Sequence, residues 1–298
     1  MAIPPFLRAE AGPTTLKQRP WAGDRLAKLR GTSGPIGESW EFSTLPGSES
    51  TALGRPLSNV LGHPLPWLAK LIDTALPLSV QVHPDDDDKT GRCGKEEAWV
   101  ILDAAPGAHV FAGLAPGVTR GQFEDALLQA QADPGHPTAL FSALRRIEVV
   151  PGTILVVPAQ TVHAIAGGVL LAEIQQPSDC TYRFFDYGRG RALHVDQALA
   201  TFAPEAQPHV WRPGQEPTCL SAKHVHLQIL TRDHNRVSSG RAPRLITCAR
   251  GQALVRAGGV ELRLAAGELL LATRQQFDIE VAHEGVVVVG TVNTESSK

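Results

Sequence analysis

The sequence lacks the features that define several broad classes of protein. No apolar run reaches the ~18 residues that a membrane-spanning helix needs, so we predict no membrane span. No run of lysine and arginine occurs and the net charge is −2, so we expect no binding to nucleic acid. The first residues show no basic stretch followed by an apolar one, so we expect no secretory signal peptide.

Cysteine is also scarce. The four cysteines, Cys93, Cys180, Cys219 and Cys248, include no CxxC pair, which argues against a thiolate zinc site. Their scattered positions in a chain of this length indicate reduced thiols and a cytoplasmic location, and a disulfide framework is the weaker interpretation.

The composition otherwise indicates a globular protein rich in β-structure. Of the 298 residues, 43% are hydrophobic and 19% are charged, which suffices for one large core or two modest ones. The 28 glycines and 23 prolines bound many short strand-like runs, whereas long helical patterns are few. We therefore predict a mainly β protein. No exposed apolar stripe stands out, so no protein partner is evident and the sequence does not indicate an oligomeric state.

Short helices are predicted where apolar residues recur at helical spacing. In the first, Leu68, Leu71 and Ile72 lie at positions i, i+3 and i+4. In the second, Thr119 and Gln122 have the spacing of a capping box. The predicted helices lie at about residues 66–75, from 119 to the Asp-Pro-Gly at 133–135, at 137–146 and at 194–202; the middle two form an insertion at about 117–148.

The remaining segments set the predicted domain boundary. Residues 1–20 and 45–57 are expected to be irregular, and residues 204–217, rich in proline and glutamine, to be a linker. Short strands follow and indicate a small sandwich or barrel. We therefore predict two domains, residues 1–205 and 206–298.

Residues 78–99 carry the first candidate site. Alternation of polar and apolar residues places Gln81 and His83 on one face of a strand. A loop with four consecutive aspartates follows, and Lys95 and Glu97 then share one face of a second strand. Imidazole, carboxylate and amide oxygen are ordinary ligands for a divalent metal. The stretch therefore indicates a metal site, with a surface hairpin and a solvated acidic loop as the alternative.

A histidine far downstream completes this pattern. His163 follows a turn in another β module, where a single histidine is more often a hydrogen-bonded core residue than a ligand. A β sandwich with an open mouth could nevertheless bring His163 against Gln81, His83 and Glu97. Four ligands of types N, N, O and O would then suit zinc, with water or substrate completing the shell.

A weak internal repeat relates the two predicted domains. Residues 151–157 resemble residues 266–272, and the same ungapped alignment places His163 opposite Asp278. This pattern indicates two copies of one β module, of which the second has no histidine at the matching place. Chance similarity between two strand–turn–strand units is the alternative.

Several motifs in order resemble one enzyme family. LSVQVHPDD, GKEEAW and TVHAI, followed by LLAEIQQPSDCTYRFFDYGR, resemble type I phosphomannose isomerases (mannose-6-phosphate isomerases) in their short bacterial form. GESWEFS, PWLAKLIDTALPLSVQVHPDD and RALHVDQAL resemble the family too, so the resemblance covers about residues 20–200. It implies two cupin-like jelly-roll domains, with a small helical insertion in the first and a metal site only there.

The resemblance also implies a reaction and a site. The family interconverts mannose 6-phosphate and fructose 6-phosphate, an aldose–ketose isomerisation through an enediol, with one Zn²⁺ per chain. Its active-site arginine falls on Arg183, and the lysine of its GKTE motif falls on Lys95. Its zinc ligands fall on four residues of the same types, namely Gln81, His83, Glu97 and His163.

The chemistry suggests roles for four side chains besides the metal ligands. Lys95 and Arg183 add positive charge where an enediolate or a phosphate is negative, and Arg189 is another candidate for the phosphate. Glu173 is the candidate proton-transfer group, with a hydrogen-bond partner behind the ligands as the alternative. For Arg183 the alternative is a surface residue paired with Asp179 or Asp186.

Departures from the family pattern leave the ligand set intact. Glu96 stands where the family usually has threonine, and it is expected to face away from Lys95 and Glu97. Residues 85–88 are more typical of a solvated loop than of a second metal site. The alternatives for function are a sugar-phosphate-binding cupin without catalysis, an isomerase of another sugar and, fitting the ligands less well, a cupin oxygenase. Manganese or cobalt could take the place of zinc.

Overall fold

A computed structural model describes residues 3–10, 12–216, 219–233, 235–237 and 240–293. The fold is mainly β, as predicted. The helices of these residues are α1 (Arg25–Arg30), α2 (Leu57–Leu61), α3 (Arg120–Ala132), α4 (Thr138–Ser142) and α5 (Val195–Thr201). The strands are β1 (Phe6–Leu7), β2 (Leu16–Lys17), β3 (Glu38–Phe42), β4 (Thr51–Ala52), β5 (Arg55–Pro56), β6 (Leu68–Asp73), β7 (Val80–Val82), β8 (Glu97–Ala104), β9 (His109–Leu114), β10 (Leu144–Glu148), β11 (Ile154–Val157), β12 (His163–Ile165), β13 (Val169–Gln175), β14 (Tyr182–Phe185), β15 (His209–Trp211), β16 (Cys219–Ser221), β17 (Val225–Leu230), β18 (Arg244–Arg250), β19 (Gln252–Ala257), β20 (Val260–Ala265), β21 (Leu269–Ala272), β22 (Asp278–Val281) and β23 (Val286–Val292).

The larger sheets stack as layers. A seven-stranded sheet has the order β15-β11-β8-β13-β6-β3-β2, and a five-stranded sheet has the order β10-β9-β12-β7-β14. Strands of the second half form a six-stranded sheet, β1-β21-β18-β23-β17-β16, and a three-stranded sheet, β20-β19-β22. Apolar side chains fill the space between neighbouring sheets, and α3, α4 and α5 cover the outer face of the five-stranded sheet.

The seven-stranded sheet is buried on both faces. Leu71 and Val100 pack with Leu227 and Leu245 of the six-stranded sheet, whereas neighbouring residues such as Trp99 face the five-stranded sheet. A sheet covered on both faces contains strands with nearly continuous apolar runs, without the usual alternation. Burial on both faces therefore explains why the sequence analysis predicted a helix at residues 66–75, where the structure has the strand β6.

The helix predicted at residues 66–75 is wrong. These residues form the strand β6, all of whose residues are buried. Leu68, Leu71 and Ile72 fit helical spacing by coincidence, because both faces of this strand are apolar. Lys70 in its centre is polar but buried, and a carboxylate of the neighbouring strand compensates its charge.

The helical insertion is shorter than predicted. Helix α3 begins at the predicted capping box, in which the Thr119 side chain accepts from the Gln122 backbone N–H. Helix α4 ends at Ser142, and residues 144–148 form β10 beside β9 instead of continuing the helix. Ile147 of β10 is buried in the core between the two sheets, which favours the strand.

Two segments predicted to be irregular, and the predicted linker, contribute short strands. Residues 1–20 contain β2 and β1, and β1 pairs with β21 of the second half. Residues 45–57 contain the β4–β5 hairpin, and α2 begins at Leu57. Residues 204–217 contain β15, which extends the seven-stranded sheet. Pro217 and Thr218 lie outside the described residues, and the division at residue 205 stays a prediction.

The two halves of the predicted repeat occupy equivalent places. Gly152 and Gly267 both have the left-handed backbone that a tight turn requires, with φ of 91° and 86°. A strand follows each turn, and His163 and Asp278 are the first residues of β12 and β22. The structure thus agrees with a repeated β module. Within the described ranges, no helix is long and apolar enough to cross a membrane.

Candidate metal centre and active site

The candidate metal ligands lie between the seven-stranded and five-stranded sheets. Gln81 of β7 lies directly opposite His163 of β12 on one side and Arg183 of β14 on the other. His83 follows β7, and Glu97 begins β8 in the facing sheet. Gln81 and His163 are 82 positions apart in sequence, and they meet because β7 and β12 are neighbours in the sheet.

The ligand atoms converge closely. One ligand atom each from His83, Glu97 and His163 lies within 4.8 Å of the other two, a grouping that could hold a metal ion. His163 Nε2 is 3.4 Å from Glu97 Oε1, and His83 Nε2 is 3.3 Å from Glu97 Oε2. The Gln81 amide nitrogen is 3.1 Å from His163 Nε2, and a half-turn of the amide presents its oxygen there.

Hydrogen bonds behind both imidazoles direct their Nε2 atoms into this group. Nδ1 of His83 donates to the Cys180 carbonyl at 2.9 Å, and Nδ1 of His163 donates to the Thr161 carbonyl at 2.9 Å. In the neutral ring, each Nε2 then carries a lone pair. Burial and the nearby Lys95 lower the pKa of His83 to about 3, and burial lowers the pKa of His163. Two neutral imidazoles beside a carboxylate fit a divalent metal.

The carboxylate of Glu97 is ionised in this setting. Its side chain is buried, which raises the pKa, but the contacting Lys95 ammonium holds the pKa well below its usual range. Trp99 Nε1 donates to Glu97 Oε1 at 3.0 Å, and Lys95 Nζ donates to Oε2. Lys95 Nζ also lies 2.9 Å from His83 Nε2. Lys95 therefore lies among the candidate ligands, although it precedes β8 instead of lying within it.

A second buried charge network, which the sequence did not reveal, lies beside the ligands. Lys70 lies opposite Glu173 across β6 and β13, with Nζ 2.9 Å from Glu173 Oε1. Burial lowers the pKa of Lys70, but Glu173 and Glu38 outweigh burial and raise it. Burial raises the pKa of Glu38, but Lys70 and Arg19 lower it to about 2.

Glu173 stands out within this network. Burial, and then the nearby carboxylate of Glu97, raise its pKa, although Lys70 and Lys95 act in the opposite direction. Lys95 Nζ lies 3.6 Å from Glu173 Oε1. A buried carboxyl group with a raised pKa is suited to carrying a proton, which agrees with its predicted candidacy.

A cavity of about 480 Å³ is lined by Gln81, Glu97 and Glu173 among other residues. It has more cationic than anionic side chains in its lining, which is typical of a site for an anion. The cationic side chains are Lys17, Arg19, Lys70, Lys95, Arg183 and Arg191, and the carboxylates are Glu38, Glu97, Glu173 and Asp179.

The arginines of the cavity differ in their partners. Arg191 binds Asp186 through two hydrogen bonds of 2.7 and 2.5 Å, and Arg19 binds Glu38 at 2.8 Å. In the described ranges we find no ion pair for Arg183, whose buried Nε has no hydrogen-bond partner. The surface pairing of Arg183 considered above is therefore absent.

Arg189, the third candidate for a phosphate, is used in packing. Its guanidinium lies over the Tyr187 ring at 4.6 Å and donates to the Pro77 carbonyl at 2.7 Å. It does not line the cavity. The cavity thus places Arg19 and Arg191 beside Arg183, which the sequence motifs alone did not indicate.

The fold and the donor set define a jelly-roll protein of the cupin class with a candidate metal centre between two sheets. No family model matches the chain. The mannose-6-phosphate isomerase of Streptococcus mutans is 33% identical over 227 residues, which are 67% of this chain and 67% of that protein. The chain belongs to the mannose-6-phosphate isomerase family, as its motifs predicted.

Other comparisons agree with this assignment. A probable mannose-6-phosphate isomerase of Bacillus subtilis, GmuF, is 34% identical over 212 residues, 61% of this chain and 64% of its own length. The chain thus spans slightly less than two thirds of that relative. The solved mannose 6-phosphate isomerase of Bacillus subtilis shares the fold, with a TM-score of 0.70 and 23% identity over 96% of this chain and 99% of that one. Another structural match, with a TM-score of 0.66 and 16% identity over 97% of this chain and 100% of that one, is a mannose 6-phosphate isomerase bound with zinc and yttrium.

Proposed function

We propose that this chain is a zinc-dependent aldose–ketose isomerase that interconverts mannose 6-phosphate and fructose 6-phosphate through an enediol. The observation that carries the proposal is the close grouping of four candidate metal ligands beside one cavity, which Gln81 and Glu97 line together with a buried proton carrier and an excess of cations. Family membership supports the substrate, and the match bound with zinc supports the choice of metal.

We assign the metal to Gln81, His83, Glu97 and His163. Two imidazole nitrogens, a carboxylate oxygen and an amide oxygen form a donor set that zinc accepts, and it leaves room for a substrate oxygen. When bound there, zinc would act as a Lewis acid that polarises the sugar carbonyl.

The reaction moves a proton between C2 and C1 of the sugar. Glu173 faces the cavity, and its raised pKa lets it take a proton from one carbon and return it to the other. Lys95 contacts Glu97 and lies 3.6 Å from Glu173, so its ammonium can stabilise the oxyanion that develops beside the proton carrier. The buried position of Lys95 strengthens this electrostatic effect because little water screens it.

The phosphate is assigned to the cations of the cavity. Arg183 has a guanidinium free of carboxylate partners among the described residues, and burial together with Arg191 lowers its pKa. A phosphomonoester carries about −1.5 to −2 charges at neutral pH and binds arginine through paired hydrogen bonds. Arg183 therefore holds the phosphate, with Arg19 and Arg191 adding positive charge.

A coupled assay tests the proposed reaction. Zinc-loaded protein is expected to convert mannose 6-phosphate to fructose 6-phosphate, with far lower kcat/KM for unphosphorylated mannose and for glucose 6-phosphate. Turnover of another sugar phosphate alone would make the chain an isomerase of that sugar. Binding of mannose 6-phosphate without turnover would make it a sugar-phosphate-binding cupin. Either result would overturn the proposal.

Replacing Arg183 with glutamine is expected to lower kcat/KM for mannose 6-phosphate by about 30–150-fold, because charge-assisted hydrogen bonds contribute about 2–3 kcal/mol. Zinc content should not change, since Arg183 is not a proposed ligand. Steady-state kinetics and metal analysis measure both quantities. The matched control is Arg250→Gln, which removes an exposed arginine on β18. If Arg183→Gln and the control had equal kcat/KM values, the phosphate assignment would be wrong.

A further inference from the structure

Glu96, the neighbour of the candidate ligand Glu97, is attached to the second half of the chain. Its side chain is buried, with the residue 2% exposed, and faces away from the cavity. Its carboxylate accepts backbone N–H groups of three consecutive residues, Lys223 at 3.2 Å, His224 at 2.8 Å and Val225 at 2.6 Å. These residues lead into β17, so one carboxylate satisfies the buried amides of His224 and Val225 and the partly buried amide of Lys223 at the start of a strand.

The acidic loop is attached to the same three-residue segment. Lys223 Nζ lies 2.9 Å from Asp85 Oδ1, and His224 Nε2 lies 2.8 Å from Asp86 Oδ2. Asp86 Oδ1 also accepts from the Gly94 backbone at 2.7 Å. Asp85, Asp86 and His224 lie close enough to hold an ion, but the Lys223 ammonium already pairs with both carboxylates. The cluster is therefore better described as an attachment than as a second metal site.

Both attachments lie between two candidate ligands. The loop that Asp85 and Asp86 hold begins after His83, and Glu96 directly precedes Glu97. Because side chains alternate along an extended chain, fixing Glu96 on one side fixes Glu97 on the other. The Glu96 backbone is held as well, since its N–H donates to Gln176 Oε1 at 2.9 Å and its carbonyl accepts from the Gln176 N–H at 3.0 Å.

We propose that residues 223–225 position the metal ligands His83 and Glu97, with Glu96 as the positioning residue that transmits the constraint. This inference rests on the proposed metal centre. The second half of the chain then contributes to the active site although it provides no ligand. Groups that orient a metal ligand typically change metal affinity or activity by about 10–100-fold when they are removed.

Two variants of Glu96 and one control test the proposal. Glu96→Ala leaves three N–H groups, two of them buried, without their acceptor and is expected to weaken zinc binding by about 10–100-fold. Its kcat should fall by about 10-fold, with KM for mannose 6-phosphate within about twofold of wild type, because the cations of the cavity are untouched. Glu96→Gln keeps one acceptor oxygen for His224 and Val225, so its effects should lie between those of wild type and Glu96→Ala.

The control separates positioning from loss of stability. Leu270→Ala removes a fully buried side chain from the core of the second half and should lower the melting temperature, with zinc affinity and kcat unchanged. Zinc affinity is measured by competition with a chromophoric chelator. If Glu96→Ala does not fold, Glu96→Gln provides the same comparison. Wild-type zinc affinity and kcat in the Glu96 variants would overturn the inference alone, whereas wild-type protein without zinc affinity would overturn the proposed function as well.

Discussion

Replacing Glu97 with glutamine is expected to abolish zinc binding and to lower isomerase kcat/KM by about a thousandfold, because a bound metal contributes several kcal/mol to transition-state stabilisation. Glu97 provides the one carboxylate of the proposed ligand set, and it also balances the charge of Lys95. Its amide isostere preserves the size of the side chain but lacks the negative charge that attracts the cation.

The kinetics and the bound zinc of Glu97→Gln should be compared with those of Glu148→Gln. Glu148 lies on β10 with a side chain that is 74% exposed, so its substitution should change neither quantity. Circular dichroism checks that both variants are folded. A folded Glu97→Gln protein that binds one zinc and isomerises at the wild-type rate would show that the metal site has been assigned to the wrong residues.

Replacing Lys70 with methionine is expected to lower the free energy of unfolding by about 3–5 kcal/mol, because it leaves the buried carboxylate of Glu173 without its nearest cation. The pKa of Glu173 should rise further, so folding should be coupled to proton uptake. A carboxyl group with a raised folded pKa destabilises the fold above its ordinary pKa of about 4.3. The difference from wild type should therefore grow as the pH rises above that value, and denaturant titrations at several pH values measure it.

Two further variants make the Lys70 prediction specific. Lys28→Met removes an exposed lysine paired with exposed Asp24 and should lower the free energy of unfolding far less than Lys70→Met does. Lys70→Met combined with Glu173→Gln should regain part of the stability lost in Lys70→Met, because the unpaired carboxylate is gone. Equal stability of Lys70→Met and Lys28→Met would contradict the charge network described here.

Part of the candidate metal group could be predicted from the sequence, because the signals for that part are local. Alternation alone placed Gln81 and His83 on one face, and the His163 module was visible as a strand after a Pro-Gly turn. Which strands are neighbours is not a local property, so the strand pattern offered the convergence of His163 with Gln81, His83 and Glu97 only as one alternative, and the family resemblance then implied it.

The buried charge network was not predictable, for a related reason. Lys70 occurs in a run whose apolar residues face two different sheets, and that run fits a helix as well as a doubly buried strand. Its pairing with Glu173 depends on the register of β6 and β13, which neither strand specifies alone. Likewise, nothing local distinguishes Glu96 from a surface glutamate, since its three partners lie about 130 residues away.

A zinc titration of chelator-treated protein, followed by the mannose 6-phosphate isomerase assay, tests the central claim most directly. We expect chelation to remove activity, and added zinc to restore it in proportion to metal bound, with saturation at one zinc per chain. Folded protein that keeps full activity after complete metal removal, or that binds zinc without regaining activity, would contradict the claim that this site is a zinc-dependent isomerase centre.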